Sequence, residues 1–316
     1  MSSPAAAISS APPVDAAPGA CLLCARNEGT TVWRENGYDV RHCAQCGVLY
    51  LDPAPPPGHV DFTREQHDDS YYARPARVRA NWVQTVRPNG RLLEVGCGGG
   101  HFLAECRRRG YEVFGCEPDA ERARFCRAQL QLDVETAYIE DTALPPGSFD
   151  VVFHVDLLSH FPDPVGALRT MARLLRPGGV LCFEVGTMAG VAQRYIRWNG
   201  GLGVPDHRWF FSLDGIRSVI DRAGLQIESL KQFGLVPAML PLVLGRTLVK
   251  PLVQWRRGKE ARPWDGAVES DAPLRKVRGI YRLGQRVEFE LRYHLGPYVP
   301  KVGPTTLFVA ASPKAQ

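Results

Sequence analysis

The stretch "FHVDLLSHFPDP" sets His154, Asp156 and His160 within seven residues. Such a trio is raw material for a metal site or a general base. Imidazole exchanges a proton near neutral pH, so His160 is the stronger base candidate. A strand over Asp150–His154 would aim His154 and Asp156 at one face near its C-terminal end. His160 then falls in the turn before Pro162 and Pro164. No fourth ligand is near in sequence, so zinc is not expected on this trio, and His154 reads as a satisfied core histidine.

A different metal pattern lies upstream. Cys21, Cys24, Cys43 and Cys46 form two C-x2-C pairs with 18 residues between them. Each pair turns two thiolates inward, and a structural zinc takes four. Between the pairs, two strand-like runs flank Asn36-Gly37, a strong hairpin-turn signal. A closed zinc ribbon is the expectation, with a redox dithiol as its alternative and His42 as a spare ligand. All four positions filled by sulfur would leave no open site for catalysis.

The third constellation is "RLLEVGCGGGHFLAEC". A short apolar strand ends at Val95. Gly96, Gly98 and Gly100 then make a tight turn, and Phe102, Leu103 and Cys106 give a helix its buried stripe. Glycines let backbone approach a ligand closely. A dinucleotide loop reads G-x-G-x-x-G and holds a pyrophosphate; this one reads E-x-G-x-G-x-G, with Glu94 before the turn. A carboxylate there repels phosphate and suits an ammonium or sulfonium ligand. Glu117, 21 residues beyond Gly96, ends the next strand, where an acid bonding ribose hydroxyls belongs.

The elements that must position these groups follow from patterning. "YEVFGCEPD", "VETAYIEDTALPPGSFDVVFH" and "VLCFEVG" carry strands, with helical segments such as "DPVGALRTMARLLRPGG" between them. That alternation implies an α/β fold with a mostly parallel, Rossmann-like sheet covered on both faces. Ser212 is placed to cap a helix from Leu213 to Ala223, closed by Gly224. "LQIESLKQF" and "TTLFVAASP" are expected as the last two strands. Trp209, Phe210 and Phe211 either wall a pocket or pack under the sheet. Cys97, Cys106, Cys116, Cys126 and Cys182 read as core thiols.

At 316 residues with 45% hydrophobic content and a net charge of +5, the chain can bury a sizeable core, and its charge does not demand a nucleic-acid partner. The expected organisation is a disordered tail at 1–18, a zinc ribbon at 19–52, a linker and helix at 53–84, and an α/β domain at 85–316. An insertion spans 235–303. It reads as a lid or packing layer, or, through 235–257, as a basic-apolar surface near a membrane. The start of the chain lacks a signal-like apolar core and no long apolar run appears, so a cytoplasmic protein with reduced thiols is expected.

The E-x-G-x-G-x-G loop resembles motif I of class I S-adenosylmethionine (SAM)-dependent methyltransferases. "LLRPGGVL" is similar to a phrase those enzymes carry at the matching position. "HCAQCGVLYLDPAP", "DDSYYARPARVRA" and "DHRWFFSLDGIRSVIDRAG" resemble bacterial members placed in glycan or natural-product pathways, and ubiquinone-type O-methyltransferases are broader relatives. The resemblance implies a sheet whose last strand is antiparallel and a glycine loop around the methionine part of SAM. It also implies an acid or backbone group near adenine, for which Asp141 is the candidate and Glu140 the competitor. Relatives carry an aspartate where Asp156 stands and a Glu-His pair where this chain has Ser159-His160. The missing glutamate removes a possible partner for His160.

Methyl transfer to oxygen or nitrogen needs alignment, and a base where the acceptor loses a proton. Asp156, His160, Glu184 and His207 are the candidates at the strand ends. The absence of an Asn-Pro-Pro-Tyr type motif tilts the acceptor toward a small-molecule hydroxyl. The rivals are N- or C-methylation, an RNA methyltransferase, and an inactive SAM-fold scaffold. The ribbon's three arginines against four acids do not favour RNA.

Overall fold

The computed structural model describes residues 19–26, 29–56, 69–193, 196–197, 201–234, 293 and 305–315. The expected tail at 1–18 and, apart from Tyr293, the 235–303 insertion with its membrane-facing reading lie outside the described residues.

Among the described residues eleven strands join one sheet. Its centre is β4 (Arg91–Val95), β5 (Glu112–Cys116), β6 (Asp133–Glu135), β7 (Phe149–Val155) and β8 (Leu175–Thr187), which pair in parallel in the order β6-β5-β4-β7-β8. The last strand, β11 (Thr305–Pro313), lies antiparallel between β8 and β10 (Leu225–Phe233). Outside the ribbon strands and β9, the sheet is thus mostly parallel with an antiparallel end, as the resemblance implies.

Alternation along each strand supplies two cores. Leu92, Val151, Phe153, Cys182 and Phe308 face one core, beneath α1 (Asp69–Val86), α2 (His101–Arg108) and α3 (Ala120–Leu130). Their neighbours Leu93, Val152, Leu181, Phe183 and Leu307 face the other, with α4 (Pro164–Arg173) and α5 (Leu213–Arg222). Asp163 caps α4 through the Val165 and Gly166 amides, and Ser212 caps α5 by accepting from Gly215 N at 2.9 Å. The five thiols read as core are all buried.

The N-terminal hairpin is built as its turn residues dictate. β1 (Thr30–Glu35) and β2 (Tyr38–Cys43) meet at Asn36 and Gly37, with φ of 51° and 83°, the left-handed pair a type I′ turn requires. β3 (Val48–Asp52) then pairs with β2 and with β9 (Trp209–Phe211), which in turn touches β8 through Thr187 and Phe211. The aromatic trio Trp209-Phe210-Phe211 is therefore buried packing and forms the strand that joins ribbon to sheet. One face of the ribbon packs Val40, Leu49 and Leu51 against Leu202, Val204 and Phe210.

Candidate active site

At the C-terminal edge of the parallel strands opens a cleft of about 370 Å³. Val95, Gly96, Glu117, Tyr138, Ile139, Glu140, Leu157, His160 and Phe161 are among its walls. Gly96 lines it at the start of the glycine loop, whose backbone is left-handed at Gly96, Gly98 and Gly100 (φ 67°, 52° and 74°). A Cβ on Gly98 would meet nothing within 4 Å, so this glycine leaves open space beside the backbone. At Gly96 it would meet Leu157 Cδ1 at 2.7 Å, so that side chain would have to shift, and the positive φ itself favours glycine. Glu117 is buried; it accepts from Gly98 N at 2.7 Å and from Asp119 N at 3.0 Å, tying the loop to the end of β5. Burial pushes its carboxyl up, against those amides. Of the two acids in the 3-10 turn Ile139–Asp141, Glu140 lines the cleft while Asp141 is exposed outside the lining.

A group of acids gathers behind the loop. Glu94 is buried with Oε2 unpartnered among the described residues, and desolvation pushes it well above the ordinary carboxylate range, with Arg79 opposing. Glu184, at the end of β8, accepts from Arg79 Nε of α1 at 2.6 Å. Asp156 does not continue the pleat of β7. Its φ of 50° breaks the strand after Val155, so the expected common face with His154 is not formed. Instead its N–H donates to Glu184 O at 2.9 Å and Oδ1 accepts from Gly186 N at 3.2 Å. Solvent reaches Asp156 at the sheet edge, but the crowding protein and the Glu184 charge push its carboxyl up to about 6.

His154 is fully buried and stacked on Phe183, ring centroids 4.9 Å apart. Among the described residues neither ring nitrogen has a hydrogen-bond partner, so it is a core histidine without the satisfied bonds expected of it. Burial alone pushes it down to about 3.

His160 finds its partner 46 residues away. Its Nδ1 lies 2.9 Å from Asp206 O and 3.3 Å from Asp206 Oδ1. A carbonyl only accepts, so Nδ1 carries the proton and the neutral ring keeps its lone pair on Nε2. His207 stands beside it, ring centroids 4.5 Å apart, with Nδ1 3.8 Å from Asp206 Oδ2. Desolvation and the His160 charge press His207 down, while the Asp206 carboxyl is held below its usual range by His160, against burial. His160, Asp206 and His207 are close enough to share an ion. The commitment of His160 Nδ1 to a carbonyl instead fits a proton-handling dyad.

In the ribbon, Sγ of Cys21, Cys24, Cys43 and Cys46 all lie within 4.8 Å of one another, with Cys24 and Cys43 at 3.7 Å. Thiolates ~2.3 Å from a tetrahedral zinc stand about 3.8 Å apart, so the residues fit that ion.

Residues 66–230, just over half the chain, match a family described as a methyltransferase domain. The chain belongs to the SAM-dependent methyltransferases. A ubiquinone biosynthesis O-methyltransferase of Xanthomonas campestris pv. campestris is 37% identical over 112 residues, covering 33% of this chain and 47% of that one. Its counterpart in Ralstonia nicotianae is 35% identical over 169 residues, covering 49% and 71%. The chain thus spans about half the length of the first of these relatives. A putative sarcosine dimethylglycine methyltransferase of Galdieria sulphuraria superposes with a TM-score of 0.50 at 16% identity, over 82% of this chain and 93% of that one, a likeness of fold.

Three groups of this methyltransferase's site were not signalled by sequence. Asp206 stands next to His207 in "DHR", but nothing in the sequence ties that acid to His160. Arg79 sits on an unremarkable helix, and Tyr138, a large side chain left 38% exposed, has no motif around it.

Proposed function

We propose that the chain transfers a methyl group from SAM to a hydroxyl of a small molecule, with His160 as the base. The observation that carries this is the Nδ1 bond of His160 to Asp206, which holds the ring with its lone pair on Nε2 at the cleft wall. When bound, SAM supplies an electrophilic methyl on a sulfonium.

The chain's own residues supply the rest. Glu117 is placed for the ribose, Tyr138 and Ile139 for the adenine faces, with Glu140 a nearer edge partner than Asp141. Glu94, Asp156 and Glu184 set three carboxyls against one arginine, and the surplus suits the cationic end of SAM. Asp156 lies at the boundary between cofactor and acceptor. His160 takes the hydroxyl proton as the oxygen attacks, and Asp206 stabilises the imidazolium. His207 flanks the acceptor side.

The relatives' printed role as O-methyltransferases supports an oxygen acceptor; a sugar, glycan precursor or secondary metabolite remains the substrate class we propose. Arg34 and Arg41 of the ribbon are each paired, with Asp39 and Asp52, which favours a structural ribbon over one gripping RNA. We assign its four thiolates to structural zinc, in a reducing, cytoplasmic setting. Among the described residues no helix is long and apolar enough to cross a membrane.

The test combines calorimetry with S-adenosylhomocysteine and turnover with labelled SAM in cell extract. His160→Gln should keep product affinity and lower methyl transfer by about 10²–10⁴-fold. No binding of S-adenosylhomocysteine by the wild type would sink the cofactor assignment; full turnover in the variant would sink the base.

A further inference from the structure

The loop that carries Asp206 is fastened at both ends. On its far side, Arg208 N and Trp209 N donate to Ser159 O at 2.8 and 3.2 Å, next to His160. On its near side, it is held by the tip of the ribbon hairpin. Glu35 Oε1 accepts from Gly203 N at 2.9 Å and Val204 N at 3.1 Å, while Oε2 accepts from Leu202 N at 2.8 Å and Trp33 Nε1 at 2.9 Å. Asn36 Nδ2 adds a bond to Val204 O at 2.7 Å. A carboxylate gathering four N–H donors makes charge-assisted bonds, about twice as strong as neutral ones. Burial opposes the Glu35 charge, yet these donors hold the carboxyl below its usual range. The fit is close, because a Cβ at Gly201 would meet Glu35 Oε2 at 2.6 Å.

Only Pro205 separates this clamp from Asp206. We infer that Glu35, on the zinc ribbon, is a positioning residue for His160, acting through the 202–204 backbone to hold Asp206 against Nδ1. The inference rests on the reading of His160 as a base oriented by Asp206. It gives the ribbon a part in proton transfer although none of its side chains is among the cleft's walls. Fixing a base within a fraction of an ångström is how a distant shell acts on chemistry. With the clamp released, the loop keeps only anchors on the far side of Asp206, at Ser159 O and through Arg208 and Trp209 at Pro55 O, Pro56 O and Phe161 O, and the Asp206 carbonyl and the carboxylate beside it drift from the ring together.

Nitrogen-15 NMR of the full chain, labelled in its histidine rings and read above the histidine titration range, tests this without an acceptor. His160→Gln assigns the signals. The wild type should show His160 protonated on Nδ1. Glu35→Gln should raise its Nε2–H tautomer from a minor to a comparable population, with zinc content and calorimetric affinity for S-adenosylhomocysteine unchanged. A Glu35 that merely fastened the ribbon would leave the tautomer alone. Should Glu35→Gln fail to fold, Trp33→Phe withdraws one donor and keeps the charge, and it should give a smaller shift in the same direction. A wild-type His160 protonated on Nε2 overturns the underlying reading. A wild-type Nδ1–H pattern that survives in every folded variant of the clamp overturns this inference alone.

Discussion

His154 and His160 lie on one short stretch and have opposite environments. His154 is sealed between strands with both nitrogens unpartnered among the described residues and is held down to about 3. The unfolded chain therefore binds a proton that the native one refuses, and stability is lost as pH falls from about 6.5 toward 3. His154→Leu should remove much of that acid loss and leave stability at neutral pH equal or higher by about 1–3 kcal/mol, since no buried polar group is then stranded. Urea unfolding at pH 7 and pH 4.5 would measure it; an unchanged pH slope would count against the burial argument. Asp156 has the reverse sign. Its carboxyl, up to about 6 in the native state, binds protons the unfolded chain would release, so it costs stability as pH rises from about 4 to 6. The anion formed there should favour a sulfonium, so SAM should gain affinity over S-adenosylhomocysteine as pH climbs through 6. Asp156→Asn should flatten that ratio in parallel calorimetry. At this scale residue types were legible but partners were not: His160 stands out as a base in any motif scan, whereas Asp206 reaches it only through folding across 46 residues.

Among the elements, the join between ribbon and α5 is the most exacting. Ser212 Oγ both caps α5 and donates to Gly47 O at 2.5 Å, so one hydroxyl serves a helix start and a cysteine knuckle. Gly47 has φ of 67°, and a Cβ there would press Ser212 Oγ at 2.8 Å and Gly215 N at 3.1 Å. Gly47→Ala should cost about 1–3 kcal/mol from backbone strain alone, more with the clash, and should loosen metal retention. Thermal melting with zinc analysis checks this; a variant with wild-type melting and metal content would refute the close fit. The long elements were legible because runs such as "LLEV" and "VVFHV" are apolar on both faces, the mark of buried parallel strands. β9 was not, since three residues carry no period, and the break of β7 at Asp156 depends on a left-handed turn that no glycine announces.

For the molecule as a whole, ribbon and catalytic fold share a core. Cys21, Cys43, Cys46 and Tyr50 belong to the same buried cluster as Ile216 and Val219 of α5 and Met171 of α4. A zinc chelator should therefore lower the melting temperature of the whole protein in one transition. A small separate transition in calorimetry, with the main one unmoved, would show an independent ribbon instead. The ribbon itself was readable from its spacing, but its fusion to the sheet was not, because Trp209–Phe211 could as well have walled a pocket. β11 is buried along nearly its whole length and is the partner recorded for β10, yet it is separated from it by some seventy residues of chain. On the ribosome, the edge of β8 and all of β10 must wait, open to neighbours on the same message, until residue 313 has cleared the exit tunnel. Translation that stalls before Thr305 should therefore yield aggregates rather than a shorter enzyme.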